Sequence, residues 1–161
     1  MTTKILIAGD GGQGVQTIAD IIGQAAFGNE KFVSVIPNYG LEQRGGVSLS
    51  YLKISSEMIV YPKFQTPDLL VIMSEQADAR TKDYQKKGVK ILRFKDYQEL
   101  LSKEGVLATS LNLFMLGVLV EILGERVVKV KDIEKLLLAK FSSKPNWPQN
   151  LKAFKIGLKV K

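Results

Sequence analysis

Neither cysteine nor histidine occurs anywhere in the 161 residues. Without thiols this chain can form no disulfide, carry no thiolate nucleophile and ligate no iron–sulfur cluster. Without imidazole it lacks the usual zinc ligand sets and every histidine-based route for moving a proton. Aromatic residues are scarce at 8%, and neither an RNA-binding strand motif nor a recognition-helix pattern can be found. No apolar run reaches the roughly 20 residues that span a bilayer. The longest, Leu111 to Leu123, is shorter and is interrupted by Gly117. Met1-Thr2-Thr3-Lys4 leads straight into a short apolar run ended by Gly9, which is not a secretory leader. These absences lead us to expect a cytoplasmic protein that meets neither membrane nor nucleic acid. Any chemistry it serves must come from a partner or a cofactor.

What is present is a core-forming composition: 45% of residues are apolar, enough for one domain over residues 1–161. Net charge is +7, and the excess collects late. Beyond Glu125 the basic residues Arg126, Lys129, Lys131, Lys135, Lys140, Lys144, Lys152, Lys155, Lys159 and Lys161 face only Asp132 and Glu134. Such a surface suits an acidic subunit or a phosphate-bearing ligand, permits weak salt-sensitive nucleic-acid binding, and also serves simply as a solvated face.

Lys4 to Gly9 reads as a buried strand, a short apolar run before the glycines. Val15, Ile18, Ala19, Ile22, Ala25 and Ala26 lay one stripe along a following helix that stops at Gly28. Phe32 to Ile36 is a second strand, expected to run parallel to the first with a right-handed crossover. Val47 to Ile54 partly alternates and reads as a third strand, with Met58 to Tyr61 returning beside it as a short hairpin arm. Asp68 to Met73 and Val89 to Phe94 are further strands, separated by a polar helix over about Glu75 to Lys86. The remainder is helical. Leu111 to Leu123 is apolar almost all round, so either the C-terminal helices or another chain must cover it. The expected fold is a three-layer α/β/α Rossmann-like domain whose sheet is mostly parallel with a short antiparallel hairpin portion.

Two motifs carry the functional signal. Gly9-Asp10-Gly11-Gly12-Gln13-Gly14 fits G-x-G-x-x-G between a strand and a helix, where glycines allow a tight turn and close approach of a ligand. A dinucleotide site also needs an acid at the end of the second strand, and Val35-Ile36-Pro37-Asn38 has none. Asp10 would repel a phosphate, and the lysine of a P-loop is missing. A stand-alone nucleotide-binding module is therefore the competing reading. The second motif is Tyr39-Gly40-Leu41-Glu42-Gln43-Arg44-Gly45-Gly46-Val47-Ser48. Arg44 offers a planar fork for carboxylate or phosphate, Glu42 can orient that fork, and Gly45 and Gly46 permit close approach of another backbone. By residue type alone, an exposed turn with a weak surface ion pair explains it equally well.

In this order and spacing, the two motifs resemble the gamma subunit of 2-oxoacid:ferredoxin (acceptor) oxidoreductases. Pro67-Asp68-Leu69-Leu70 is similar to the family's next core strand. Asn112 with Leu116-Gly117 looks like its later helix, and Asn150 to Gly157 like its closing segment. The resemblance implies a subunit that is non-catalytic alone and helps frame the CoA channel. It implies alpha and beta partners, with or without delta, which hold thiamine diphosphate, Mg2+ and iron–sulfur clusters, while this chain alone holds none. The complex would turn a 2-oxoacid and CoA into acyl-CoA and CO2, passing electrons to ferredoxin. The residues placed against CoA or the channel are then Gly11, Gly12, Gln13, Gly14, Glu42, Arg44, Gly45, Gly46 and Asn112. Retention of Gly45-Gly46 resembles the 2-oxoglutarate and branched-chain or aryl-pyruvate types more than the pyruvate type.

Overall fold

The structure, a computed structural model, describes residues 1–39 and 46–160. Five strands and six α-helices are formed by these residues. The strands are β1 (Thr2–Asp10), β2 (Phe32–Tyr39), β3 (Val47–Ser55), β4 (Leu69–Ile72) and β5 (Lys90–Arg93). The helices are α1 (Val15–Gly28), α2 (Glu75–Arg80), α3 (Gln98–Lys103), α4 (Leu111–Leu123), α5 (Val130–Phe141) and α6 (Trp147–Gly157). The sheet is an α/β mixed sheet with strand order β2-β3-β1-β4-β5.

β1 lies at its centre, which is why Ile5, Leu6, Ile7 and Ala8 form an uninterrupted apolar run: both faces are covered. β1 pairs in parallel with β4 but antiparallel with β3. β2 runs parallel to β1, as a strand–helix–strand unit should, yet it does not touch it. Its partner is β3, which is inserted between the two and antiparallel to both. The expectation of a mostly parallel sheet is thus corrected. The antiparallel ladders run from Thr2↔Ser55 to Asp10↔Val47 and from Phe32↔Ser55 to Tyr39↔Ser48, whereas each parallel ladder is only four residues long. The alternation in Val47 to Ile54 was legible, but not that this strand would take the place beside β1. The Met58–Tyr61 arm is also corrected: this stretch is irregular and Met58, Val60 and Tyr61 are exposed. β3 already has partners on both edges, so a hairpin arm has nothing to pair with. The polar helix is shorter than expected, ending at Arg80 and followed by a 3-10 turn over Lys82–Tyr84.

Successive side chains of β1 feed two apolar clusters. Ile5 and Ile7 join the larger one, built with α1, α4, α5 and α6. Leu6 and Ala8 join a smaller one with Leu70, Ile72, Ala77 and the rings of Tyr51, Phe64 and Tyr84. α4 is buried from Leu113 through Val120 without a break, and each fully buried leucine or phenylalanine there contributes about 1.5–3 kcal/mol. Of the two ways to cover it, the chain uses its own C-terminal helix. α6 crosses α4 where Gly117 faces Gly157, and their Cα atoms approach so closely that a Cβ built on either would stand 3.0 Å from the other's Cα. Beside this crossing the buried Ser110 hydroxyl donates to Asn150 Oδ1 at 2.8 Å.

Candidate functional site

The glycine loop leaves β1 at the end where β3 begins. Gly9 pairs with Ser48 and Asp10 with Val47, so the two sequence motifs meet on neighbouring strands. The Gly11 amide donates to the Gly46 carbonyl at 2.9 Å, joining the loop to the exit of the second motif. Gln13 holds the loop closed. Its Oε1 accepts from the Asp10 amide at 2.7 Å, and its Nε2 donates to the Met73 carbonyl at the end of β4 at 3.1 Å. Asp10 accepts from the Ser74 hydroxyl at 2.6 Å, and Ser74 Oγ in turn caps α2 by accepting from the Ala77 amide at 3.0 Å. Gln16 reaches across from α1 to Ser48 Oγ and the Leu49 carbonyl, at 3.1 and 2.9 Å.

Gly14 precedes the first turn of α1 with φ +82°, and a Cβ there would strike the Asn112 side-chain amide. Asn112 therefore belongs to the same assembly although it lies about a hundred residues away in sequence. Its Oδ1 accepts from the Leu113 amide at 3.0 Å. Of the residues singled out in the sequence, Gly11, Gly12, Gln13, Gly14, Gly46 and Asn112 converge around this loop. Glu42, Arg44 and Gly45 lie outside the described residues, which resume at Gly46. The sequence reading did not single out Ser74, Gln16 or Met73. Ser74 had a legible signal, a serine just before the acidic start of a helix; Gln16 and Met73 act through geometry that only the fold creates.

Two clefts flank the assembly. One, of about 550 Å³, opens at the carboxyl ends of β1 and β4, with Asp10, Gln13 and Ser74 on one wall and Leu101, Leu107 and Leu111 on the other. The other, of about 690 Å³, lies on the opposite face of the sheet between Asn38, Tyr51, Phe64 and Tyr84, with Lys63 and Lys86 at its rim. Tyr51 and Tyr84 share a hydroxyl–hydroxyl hydrogen bond of 2.7 Å. Burial, followed by that bond and the proximity of the Tyr84 hydroxyl, pushes the Tyr51 phenol up to about 12. Among the described residues, no group of three acidic side chains stands together as a metal site would require, and no helix is long and apolar enough to cross a membrane.

The geometry also bears on the dinucleotide alternative. A dinucleotide fold reads the ribose from the strand beside the glycine loop. Here that neighbour is β3, and the end of β2 stands a further strand spacing away, about 10 Å from β1 in all. β2 ends in Pro37-Asn38-Tyr39, so the expected acid is missing from a strand that is itself displaced.

Comparison with known proteins gives the same answer. Residues 4–160 match the family described as pyruvate ferredoxin/flavodoxin oxidoreductase. The chain belongs to this family. Within it, the 2-oxoglutarate synthase subunit KorC of Methanocaldococcus jannaschii is 33% identical over 180 residues, covering 99% of this chain and 94% of that protein. Two solved structures share the fold. A keto/oxoacid ferredoxin oxidoreductase gamma subunit from Geobacter sulfurreducens superposes with a TM-score of 0.72 at 24% identity, covering 96% of this chain and 95% of that one. A 2-oxoglutarate:ferredoxin oxidoreductase from Magnetococcus marinus, solved with 2-oxoglutarate, coenzyme A and succinyl-CoA bound, gives a TM-score of 0.85 at 21% identity. That match covers 98% of this chain but 30% of the Magnetococcus chain. The chain is accordingly a gamma-type subunit of a 2-oxoacid:ferredoxin oxidoreductase.

Proposed function

We propose that this subunit serves a 2-oxoglutarate-type enzyme and that its two motifs together form one wall of the CoA channel. The observation that carries the reading is the Gly11–Gly46 hydrogen bond, which ties the glycine loop to the segment bearing Glu42 and Arg44. Arg44 supplies a guanidinium fork for a phosphate or carboxylate group of the incoming substrate, and Glu42 orients it. Gln13, with its Oε1 engaged in the loop and its Nε2 on the Met73 carbonyl after β4, acts as a brace and leaves backbone groups to face the ligand. The Gly14–Asn112 contact fixes the loop against α4. The preference for 2-oxoglutarate rests on Gly45-Gly46 and on the similarity to the 2-oxoglutarate synthase subunit.

In this reading the whole chain acts as one three-layer α/β/α Rossmann-like domain, a view supported by the apolar clusters on both faces of the sheet. Its companions are cytoplasmic alpha and beta subunits, with or without delta, and ferredoxin is the electron acceptor of the complex. Thiamine diphosphate with Mg2+ and the iron–sulfur clusters belong to those companions and supply the decarboxylation and electron-transfer chemistry. This chain has neither cysteine nor histidine to do either, so its part is to bind, orient and exclude.

The test is Arg44→Ala in the reconstituted complex. The KM for CoA should rise about tenfold or more, as loss of a charge-assisted contact of about 1.5–3 kcal/mol requires. The KM for the 2-oxoacid and the melting temperature should stay near wild type. A variant with normal CoA kinetics, or one whose stability collapses, refutes the assignment of Arg44 to the channel.

A further inference from the structure

The positive charge of this chain has an address in the fold that the channel reading does not use. α5 and α6 are anchored on different parts of the core, α5 against α1 and α6 against α4. They leave a groove of about 400 Å³ between them at the surface. Each helix turns one stripe into it. On α5 the stripe is Lys131, Lys135 and Leu138, spaced i, i+4, i+7; on α6 it is Trp147, Leu151 and Lys155, spaced i, i+4, i+8. Both spacings return to the same helical face.

The apolar part of this lining is out of place on a solvated surface. Leu138 is 55% exposed, whereas Ile133 and Leu137 of the same helix are fully buried. The core has thus been closed without it, and Trp147 and Leu151 are half-buried beside it. The three lysines frame the groove; its lining contains one carboxylate, Glu134. The only other acid beyond Glu125, Asp132, lies 3.8 Å from Lys135 and compensates just part of the charge. A solvated face needs no leucine and tryptophan at its centre. A nucleic-acid groove would offer cations along a phosphate track rather than an aliphatic floor.

We propose that the α5–α6 groove docks an acidic segment with an apolar face, carried by a companion subunit of the oxidoreductase. The apolar residues of that segment cover Leu138, Trp147 and Leu151, and its carboxylates meet Lys131, Lys135 and Lys155. The stripes span about two helical turns, roughly 10–12 Å, so the fitting element is a short amphipathic helix or strand. The proposal rests on the gamma-subunit reading for the identity of the companion, while the groove is separate from the loop of that reading.

The experiment uses the full chain co-expressed with its companion subunits. Carbodiimide cross-linking of the assembled complex, read by mass spectrometry, should join Lys131, Lys135 or Lys155 to carboxylates of a companion. The triple reversal K131E/K135E/K155E should slow assembly about tenfold or more at low salt and flatten its salt dependence. Leu138→Ser, an exposed change that cannot unfold the chain, should raise the dissociation constant about tenfold through loss of apolar contact. Circular dichroism and the melting temperature of the variant chains keep a folding defect apart from a docking defect. A complex that forms with wild-type affinity in both variants and shows no cross-link at these lysines overturns the groove assignment and leaves the gamma-subunit reading intact. So does retention of a DNA or RNA oligonucleotide at physiological salt that the triple reversal abolishes while assembly is unchanged. Failure of the wild-type chain to assemble with any companion refutes both.

Discussion

Replacing Gly157 by alanine tests the packing that makes this fold self-sufficient around α4. Gly157 lies at the end of α6 and Gly117 in the middle of α4. A Cβ on Gly157 would fall on the Phe114 carbonyl oxygen and 3.0 Å from both Gly117 Cα and Val118 N. Those are backbone atoms of a helix buried on all sides, so no side chain can rotate aside. Two effects oppose each other. Alanine in place of a helical glycine favours the helix by up to about 1 kcal/mol, and by less at a helix end such as this. Forcing a methyl group into a filled interface costs about 1–3 kcal/mol, and more where the obstacle is backbone. The packing term wins, and a net loss of about 2 kcal/mol is expected. For a chain of this size that lowers the melting temperature by about 4–8 °C. Urea unfolding followed by circular dichroism, with Gly117→Ala and the double variant alongside, measures it. The double variant should lose less than the sum of the singles, because the first methyl group already separates the helices that the second would push apart. A Gly157→Ala chain as stable as wild type, or singles that add, would show that the close crossing is not what holds α4 and α6.

Three further outcomes follow from the same geometry. Gly14→Ala should cost about 1–2 kcal/mol for the left-handed backbone alone, and part of any excess should disappear in an Asn112→Ala background, where the obstructing amide is gone; a double-mutant cycle by thermal melting reads this. Among the described residues Ser50 Oγ is buried without a hydrogen-bond partner, so Ser50→Ala should keep or raise stability, whereas Ser110→Ala strands the buried Asn150 Oδ1 and should cost about 1–3 kcal/mol. Because the folded-state value of Tyr51 is raised from 10.0 to about 12, folding is undisturbed by this group below pH 10 and loses stability as the pH rises from there through 12. Phenolate absorbance should show that late titration, and Tyr84→Phe should bring it down.

The fold was legible wherever local pattern decides. The stripe from Val15 to Ala26 became α1 with those residues buried, because helical spacing alone places them on one face. The strand read over Lys4 to Gly9 became the sheet centre, because Ile5 to Ala8 is apolar throughout, as only a strand covered on both sides is. The place of β3 was not legible. Whether a strand enters beside its predecessor or one position further in depends on the long-range partner, and Val47 to Ser55 has the same alternation in either place. The convergence of Gly14 with Asn112, and the bracing of the loop by Gln13 and Met73, likewise come from the sheet and α4 meeting in space. Sequence shows the glycine and the asparagine; it does not show that one makes room for the other.

The insertion of β3 has one more consequence. Because β2 and β3 are neighbours and antiparallel, residues 40–46 are the connection of a hairpin whose paired positions run from Phe32↔Ser55 up to Tyr39↔Ser48. The register of such a hairpin is set by its two arms and by β1, which clasps the second arm along its whole length. The described arms therefore set the register of the pair by themselves. If Glu42 and Arg44 act in the channel as proposed, exchanging side chains between Tyr39 and Gly46 should change the kinetics of the complex while the sheet, held by its own ladders, keeps its melting temperature.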